Sequence, residues 1–403
     1  MENISVNNLI DTVNSDLPRE FLIFLAQNIL EDNSNKNEAI ENFKRETYEF
    51  SLKVQKKVIN CTGTLLHTNL GRAQVDIGFS GESTNIEYDI LENKRGERNL
   101  FLKESMNLLL GSKNVCFVNN NASSLFITLK TLKDEFDIDS VIISRGEIIE
   151  IGGSYRLPEI IQETGLKMIE VGTTNKTKLN DYRKALNQNK KSLILKVHRS
   201  NFSINGFVEE VDLKDLKILS DEKNSILIHD LGSGLVASRK FLKKENIEIL
   251  DNEPTVQESL KSGVDLVMFS GDKLFGSVQS GIIAGNNTMV NSIKNAPLFR
   301  TYRCSPLTLF ELQETVKKYI SKNEKEIPLW EMISMSYEQL EKRLQNLSDK
   351  IKLKHTIEND YSLMGGGTLP DKLISSPILK INRLENENLM NMFLENTIPI
   401  IPR

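Results

Sequence analysis

The sequence predicts an α/β fold: a parallel sheet covered by helices, with a small helical unit before it. Three observations lead there. Short apolar runs recur at 115–118, 141–143, 168–171, 193–197, 226–228, 266–269 and 282–284. Polar or amphipathic stretches of helical length separate most of them, the alternation expected of strands joined by crossover helices. Glycine-rich turns follow several of the runs, where open α/β sheets place their ligands.

Taken in order, the first 57 residues carry no strand signal. Phe21 to Leu25 and Ile29-Leu30 form one apolar face that stops at Glu31-Asp32-Asn33-Ser34, and a mostly polar helix is predicted over 38–57. The alternating pattern then runs over 58–296 as the large α/β domain. From Pro297 the chain reads as helix-rich, with strand-like runs at 374–381 and 398–401, so 297–403 is expected to be a smaller α+β domain. A chain of 403 residues is long enough for such a division.

Composition narrows the function. Charged residues make up 26% and the net charge is −4, so no basic excess announces nucleic acid. The first 57 residues hold ten acidic and seven basic side chains, a poor balance for phosphate contacts. Three scattered cysteines, Cys61, Cys116 and Cys304, argue against a disulfide framework and for a reducing compartment. Cys304, beside Arg303, is either a somewhat activated thiol or a small buried filler. No Cys/His cluster suggests a metal. No apolar run approaches the roughly 18 residues of a membrane helix, and the start lacks a signal-peptide pattern, so a cytoplasmic protein is expected.

Chemistry concentrates after two of the apolar runs. Ser270-Gly271-Asp272-Lys273-Leu274-Phe275-Gly276 follows the run 264–269. A lysine on a glycine-flanked turn at a buried strand end can be kept desolvated, neutral and nucleophilic. A lysine in a surface turn is the ordinary alternative. A second run ends at His229 and is followed by Asp230-Leu231-Gly232-Ser233-Gly234. An aspartate and a lysine at the ends of two central strands are what a pyridoxal 5'-phosphate enzyme needs. The lysine bonds the cofactor, and the aspartate keeps its ring nitrogen protonated. A lone buried carboxylate would otherwise be costly.

Other candidates group around that pair. Asn119-Asn120-Asn121-Ala122 precedes a helix, where free amides and the helix dipole suit a phosphate, although plain capping is common. With Asp230 and Lys273 downstream, Asn120, Asn121 and Ala122 are assigned to the cofactor phosphate, with Ser270 as a further hydroxyl. His198 and Asn201 follow another run and either contact the cofactor ring or serve structure. Arg300 and Arg303 lie three apart, and Arg72 stands alone. Guanidinium forks suit an oxyanion, while solvated surface arginines are the common case.

The segment Val58 to Ala73 resembles the opening segment of the bacterial L-seryl-tRNA(Sec) selenium transferases. Asn119 to Ala122, Val197 to Phe202, Asp230 to Gly234, Ser270 to Lys273, Ile327 to Trp330 and Gly365 to Pro370 follow in that family's order. The opening segment and the lysine turn are the specific matches. The resemblance implies the pyridoxal-dependent transferase fold, aspartate-aminotransferase-like fold type I, with a helical N-terminal domain. It implies β-replacement on seryl-tRNA(Sec) through an aminoacrylyl intermediate, with selenophosphate as donor. It also implies Lys273 and Asp230 at the cofactor, Arg72, Arg300 and Arg303 on the donor, and Gln279 reaching the phosphate of a neighbouring subunit in a ring of dimers. A lyase acting on a small amino acid or amino sugar with the same cofactor is the alternative. Three departures from the family pattern stand out. Cys304-Ser305-Pro306 replaces Val-Asp-Lys, a helix is expected to be missing within 74–84, and the family continues past Arg403.

Overall fold

The computed structural model describes residues 4–32, 35–76, 78, 83–151, 155–365, 369, 371–381, 392–393, 396 and 398–403. The chain divides into two compact units, Met1–Thr62 with Glu385–Arg403, and Gly63–Leu384. The sequence placed its boundaries at 57/58 and 296/297 instead.

In the first unit, helices α1 (Val6–Ile10), α2 (Arg19–Asp32) and α3 (Lys36–Lys53) pack on one another. Leu9, Leu22, Leu25, Ile29 and Phe43 fill their shared core. Ser5 and Asn35 cap α1 and α3 by accepting from backbone amides two or three residues on, as N-cap side chains do. Ile59–Cys61 pairs in parallel with Ile400–Pro402, so the strand-like run near the C-terminus joins this unit.

The second unit is built on a seven-stranded sheet: β1 (Asn114–Val118), β2 (Ser140–Ser144), β3 (Lys167–Val171), β4 (Ser192–Val197), β5 (Leu227–Gly232), β6 (Leu266–Ser270) and β7 (Gly281–Gly285). Their spatial order is β1-β7-β6-β5-β4-β2-β3. The sheet is mixed rather than wholly parallel, because β7 runs antiparallel to both β6 and β1. Residues 271–280 hold the lysine turn and no helix. Without a crossover the chain can only return antiparallel.

Strand alternation sorts the apolar side chains onto two packed faces. Ile142, Ile194, Val267 and Phe269 enter one core, while Val141, Ile143, Leu193, Leu195, Leu266 and Met268 enter the other. Helix α4 (Leu100–Leu110) covers the first face and α5 (Asn121–Phe136) the second. The helices Pro306–Ile320 and Pro328–Ile333 give Leu312, Val316, Tyr319 and Trp330 to the first core, so packing does not break at residue 297. An antiparallel pair, His355–Leu363 with Leu373–Ile381, follows. Its first strand is mostly exposed, so no apolar run announced it. Among the described residues of 74–84 there is no helix, and 77 and 79–82 lie outside the described residues. So do Gly366, Gly367, Thr368 and Pro370 of the triple-glycine motif.

Candidate active site

The C-terminal ends of β4, β5 and β6 open, with the start of α5, onto a cavity of about 220 Å³. Its walls include Arg72, Asn120, Asn121, Ala122, His198, Asp230, Ser270, Lys273 and Gln279. Ten sequence candidates, Asn201 among them, spread over about two hundred positions, thus share one site.

Lys273 stands on the turn after β6 and is 5% exposed. Gly276, with φ +74°, bends the chain after it, and an added Cβ there would lie 2.8 Å from Ile327. Burial pushes the Lys273 ammonium down from its usual range, and the nearby Arg72 guanidinium pushes it further. Both favour the neutral amine. Arg72 adopts φ +62° after the left-handed Gly71 and pairs with Asp272 at 2.8 Å. That pair fastens the opening segment to the lysine turn.

Asp230 lies within β5, where a register shift falls between it and Gly232. Burial raises its carboxyl to about 6, against the opposing influence of the Asn121 hydrogen bond and of Lys273. Asn121 Nδ2 donates to Asp230 Oδ1 at 2.8 Å, linking the start of α5 to the sheet. Asn120 caps α5 by accepting from Ser123 N at 2.8 Å. The amides of Asn121 and Ala122, in the first turn of the helix, remain for a ligand.

His198 follows β4 and donates its backbone amide to Asp230 O at 2.9 Å. Its Nε2 lies 3.1 Å from both carboxylate oxygens of Glu253. Asn201 donates to Glu150 O at 3.0 Å. Gln279 also lines this cavity.

Arg300 and Arg303 do not reach this cavity. They line a separate one of about 280 Å³ with Glu87, Arg95, Arg98 and Lys294. Glu87 pairs with Arg98 at 2.7 Å, Arg95 at 3.2 Å and Arg303 at 3.3 Å, and the Arg98 bond leads in holding its carboxyl below the usual range. Arg303 is held there because its backbone bridges to Val118 of β1. Cys304 is buried, and burial pushes its thiol up to about 12, which favours the filler reading over an activated thiol.

Three residues at or behind the site escaped the sequence reading. Tyr155 lines the cavity with its hydroxyl buried and unpartnered among the described residues, and burial and then Asp230 push its phenol up. The Gly152-Gly153-Ser154 run ahead of it signals a turn but no chemistry. Ile149 and Glu253 carry no motif at all.

Pyridoxal 5'-phosphate fits this donor set. A buried carboxylate that resists ionisation calls for a cation opposite it, a buried lysine stands in the same wall, and two helix-start amides with Ser270 suit a phosphate.

The profile of the L-seryl-tRNA selenium transferases matches residues 58–403. The chain belongs to that family. The L-seryl-tRNA(Sec) selenium transferase of Campylobacter fetus is 36% identical over 382 residues, covering 91% of this chain and 84% of the relative. That of Campylobacter lari is 39% identical over 341 residues, covering 83% and 74%. That of Alkaliphilus oremlandii is 37% identical over 395 residues, covering 94% and 82%. Among solved structures, D-glucosaminate-6-phosphate ammonia-lyase superposes with a TM-score of 0.58 at 16% identity, covering 87% of this chain and 88% of the lyase. That likeness is one of fold. The family and the sheet order agree on the fold type I architecture of pyridoxal-dependent transferases.

Proposed function

We propose that this enzyme converts seryl-tRNA(Sec) to selenocysteinyl-tRNA(Sec), with pyridoxal 5'-phosphate as cofactor and selenophosphate as selenium donor. The single observation that carries the reading is a buried lysine sharing a cavity with a buried aspartate, within a chain that matches the transferase family from residue 58 to its end. When bound, the cofactor supplies an electron sink for the charge left at the serine α-carbon. Lys273 would hold the cofactor's aldehyde carbon, and its neutral amine would take the proton from the serine α-carbon. Burial and the Arg72 guanidinium both favour that neutral form. Asp230, steadied by Asn121, holds the ring nitrogen's proton. The amides of Asn121 and Ala122, with Ser270, hold the phosphate. Arg72 stays beside the reacting centre through Asp272.

Arg300 and Arg303 face a cationic cavity outside their own chain's lysine site, so their part is best served from a neighbouring copy in a homo-oligomer, a ring of dimers. Among the described residues no helix is long and apolar enough to cross a membrane. A reaction on tRNA supports a cytoplasmic location. The small-molecule lyase is the weaker reading, since the relatives at 36–39% identity bear the transferase name and the lyase shares only the fold. The test is conversion of seryl-tRNA(Sec) by the purified protein with selenophosphate. Absence of seryl-tRNA binding at low salt, where phosphate contacts are strongest, sinks the reading.

A further inference from the structure

Glu253 lies behind the cavity wall, yet its carboxylate ends on a residue that forms the wall. Both of its oxygens are 3.1 Å from His198 Nε2. The Glu253 side chain is 4% exposed and that of His198 24%. Burying a carboxylate is costly unless it accepts hydrogen bonds, and among the described residues Nε2 of His198 is its side-chain partner. Nε2 must therefore carry a proton. In a neutral ring that leaves Nδ1 bare, with a lone pair to offer.

Both ends of the contact are fixed. Glu253 precedes Pro254, which restricts its backbone to extended conformations. Its carbonyl accepts from Arg239 at 2.7 Å, and Arg239 also binds Leu250 O at 2.9 Å and Glu258 at 2.8 Å. Its amide donates to Leu250 O at 3.1 Å. On the other side, the His198 amide is tied to Asp230 O and its carbonyl accepts from Ser200 N at 3.0 Å. The imidazole is thus held between the aspartate strand and a braced turn 55 residues later in the chain.

We propose that Glu253 is a positioning residue for His198. It fixes the ring as the Nε2–H tautomer and leaves Nδ1 as the nitrogen the cavity meets, an acceptor for an N–H or O–H donor on the bound substrate. A seryl group carries donors of that kind, so this assignment of the ligand rests on the functional reading above, while the tautomer does not.

The test labels histidine with nitrogen-15 in the full-length holoenzyme, which has four histidines, and reads the imidazole nitrogens by magic-angle-spinning NMR. The signals of His198 are those lost in His198→Gln. Wild type is expected to show a protonated Nε2 and a bare Nδ1. In Glu253→Gln the side-chain amide can either accept from Nε2–H or donate to a bare Nε2. The Nδ1–H form should then appear, and kcat with seryl-tRNA should fall roughly 10-fold or more, as wrong tautomers do, with cofactor content unchanged. A protonated Nδ1 in wild type overturns the proposal. So does a Gln variant whose imidazole signals match wild type, even if its unfolding midpoint drops, because that is a structural role only. Should the variant fail to fold, the wild-type spectrum decides alone. If wild type shows the expected tautomer but does not turn over seryl-tRNA, the functional reading falls and the role of Glu253 stands.

Discussion

Replacing Asp230 by Asn should make the cofactor-free protein more stable while disabling the enzyme. The carboxyl rises from 3.8 to about 6 on folding, chiefly through burial. Two pKa units correspond to about 3 kcal/mol of penalty on the charged form. A raised carboxyl favours the folded state at low pH, and that advantage is lost as pH climbs through the folded value. Asparagine never carries the charge, and its Oδ1 can still accept from Asn121 Nδ2. The variant should therefore exceed wild type by about 3 kcal/mol at pH 8 and by roughly half that at pH 5, because the charged fraction shrinks between the two folding-linked pKa values. Urea denaturation of both cofactor-free proteins, followed by circular dichroism at the two pH values, measures this gap. With pyridoxal phosphate bound the order should reverse, since the carboxylate then faces a cation, and turnover should fall on the order of 100-fold or more in the variant. A gap that is absent, or that does not change between pH 5 and pH 8, refutes burial as the cause of the Asp230 shift.

The remaining predictions address other parts of the molecule. Borohydride treatment of the holoenzyme should remove its near-visible absorbance and leave the cofactor on the peptide holding Lys273; a label on any other lysine removes Lys273 from its role. Trp330→Phe should cost about 1–3 kcal/mol in denaturation midpoints, because it deletes a buried indole donor. Trp330 Nε1 donates to Tyr319 OH at 2.7 Å, and that hydroxyl donates to Phe275 O at 2.9 Å beneath the lysine turn, so a change within about 0.5 kcal/mol counts against the chain of bonds. Arg300→Ala and Arg303→Ala should raise the KM for selenophosphate roughly 10-fold or more while leaving cofactor absorbance intact; equal loss of cofactor in these variants would mean that the arginines serve folding instead.

Much of this molecule was legible in the chain order alone. Apolar runs at 115–118, 141–143, 168–171, 193–197, 226–228, 266–269 and 282–284 became the seven central strands, because a strand buried on both faces has little room for polar side chains. The turn at Lys273, the aspartate of β5 and the polar start of α5 were readable for a local reason. Strand ends and helix starts are set by short-range backbone needs, and ligand groups must sit there in an open α/β sheet. What the sequence could not decide was which distant segments meet. The antiparallel return of β7 follows from a turn too short for a crossover helix, and its place between β1 and β6 from the packing of the whole sheet. The polar strand His355–Leu363 had no apolar run to announce it. Arg300 and Arg303, assigned to the donor by family resemblance, line a cavity apart from Lys273, where Arg303 pairs with Glu87. Glu253 reached His198 only because the turn before Val256–Lys261 folds back to the residue that follows β4. Local chemistry writes strands, caps and turns into the sequence, whereas a contact across 55 residues exists only once burial has chosen which faces close on each other.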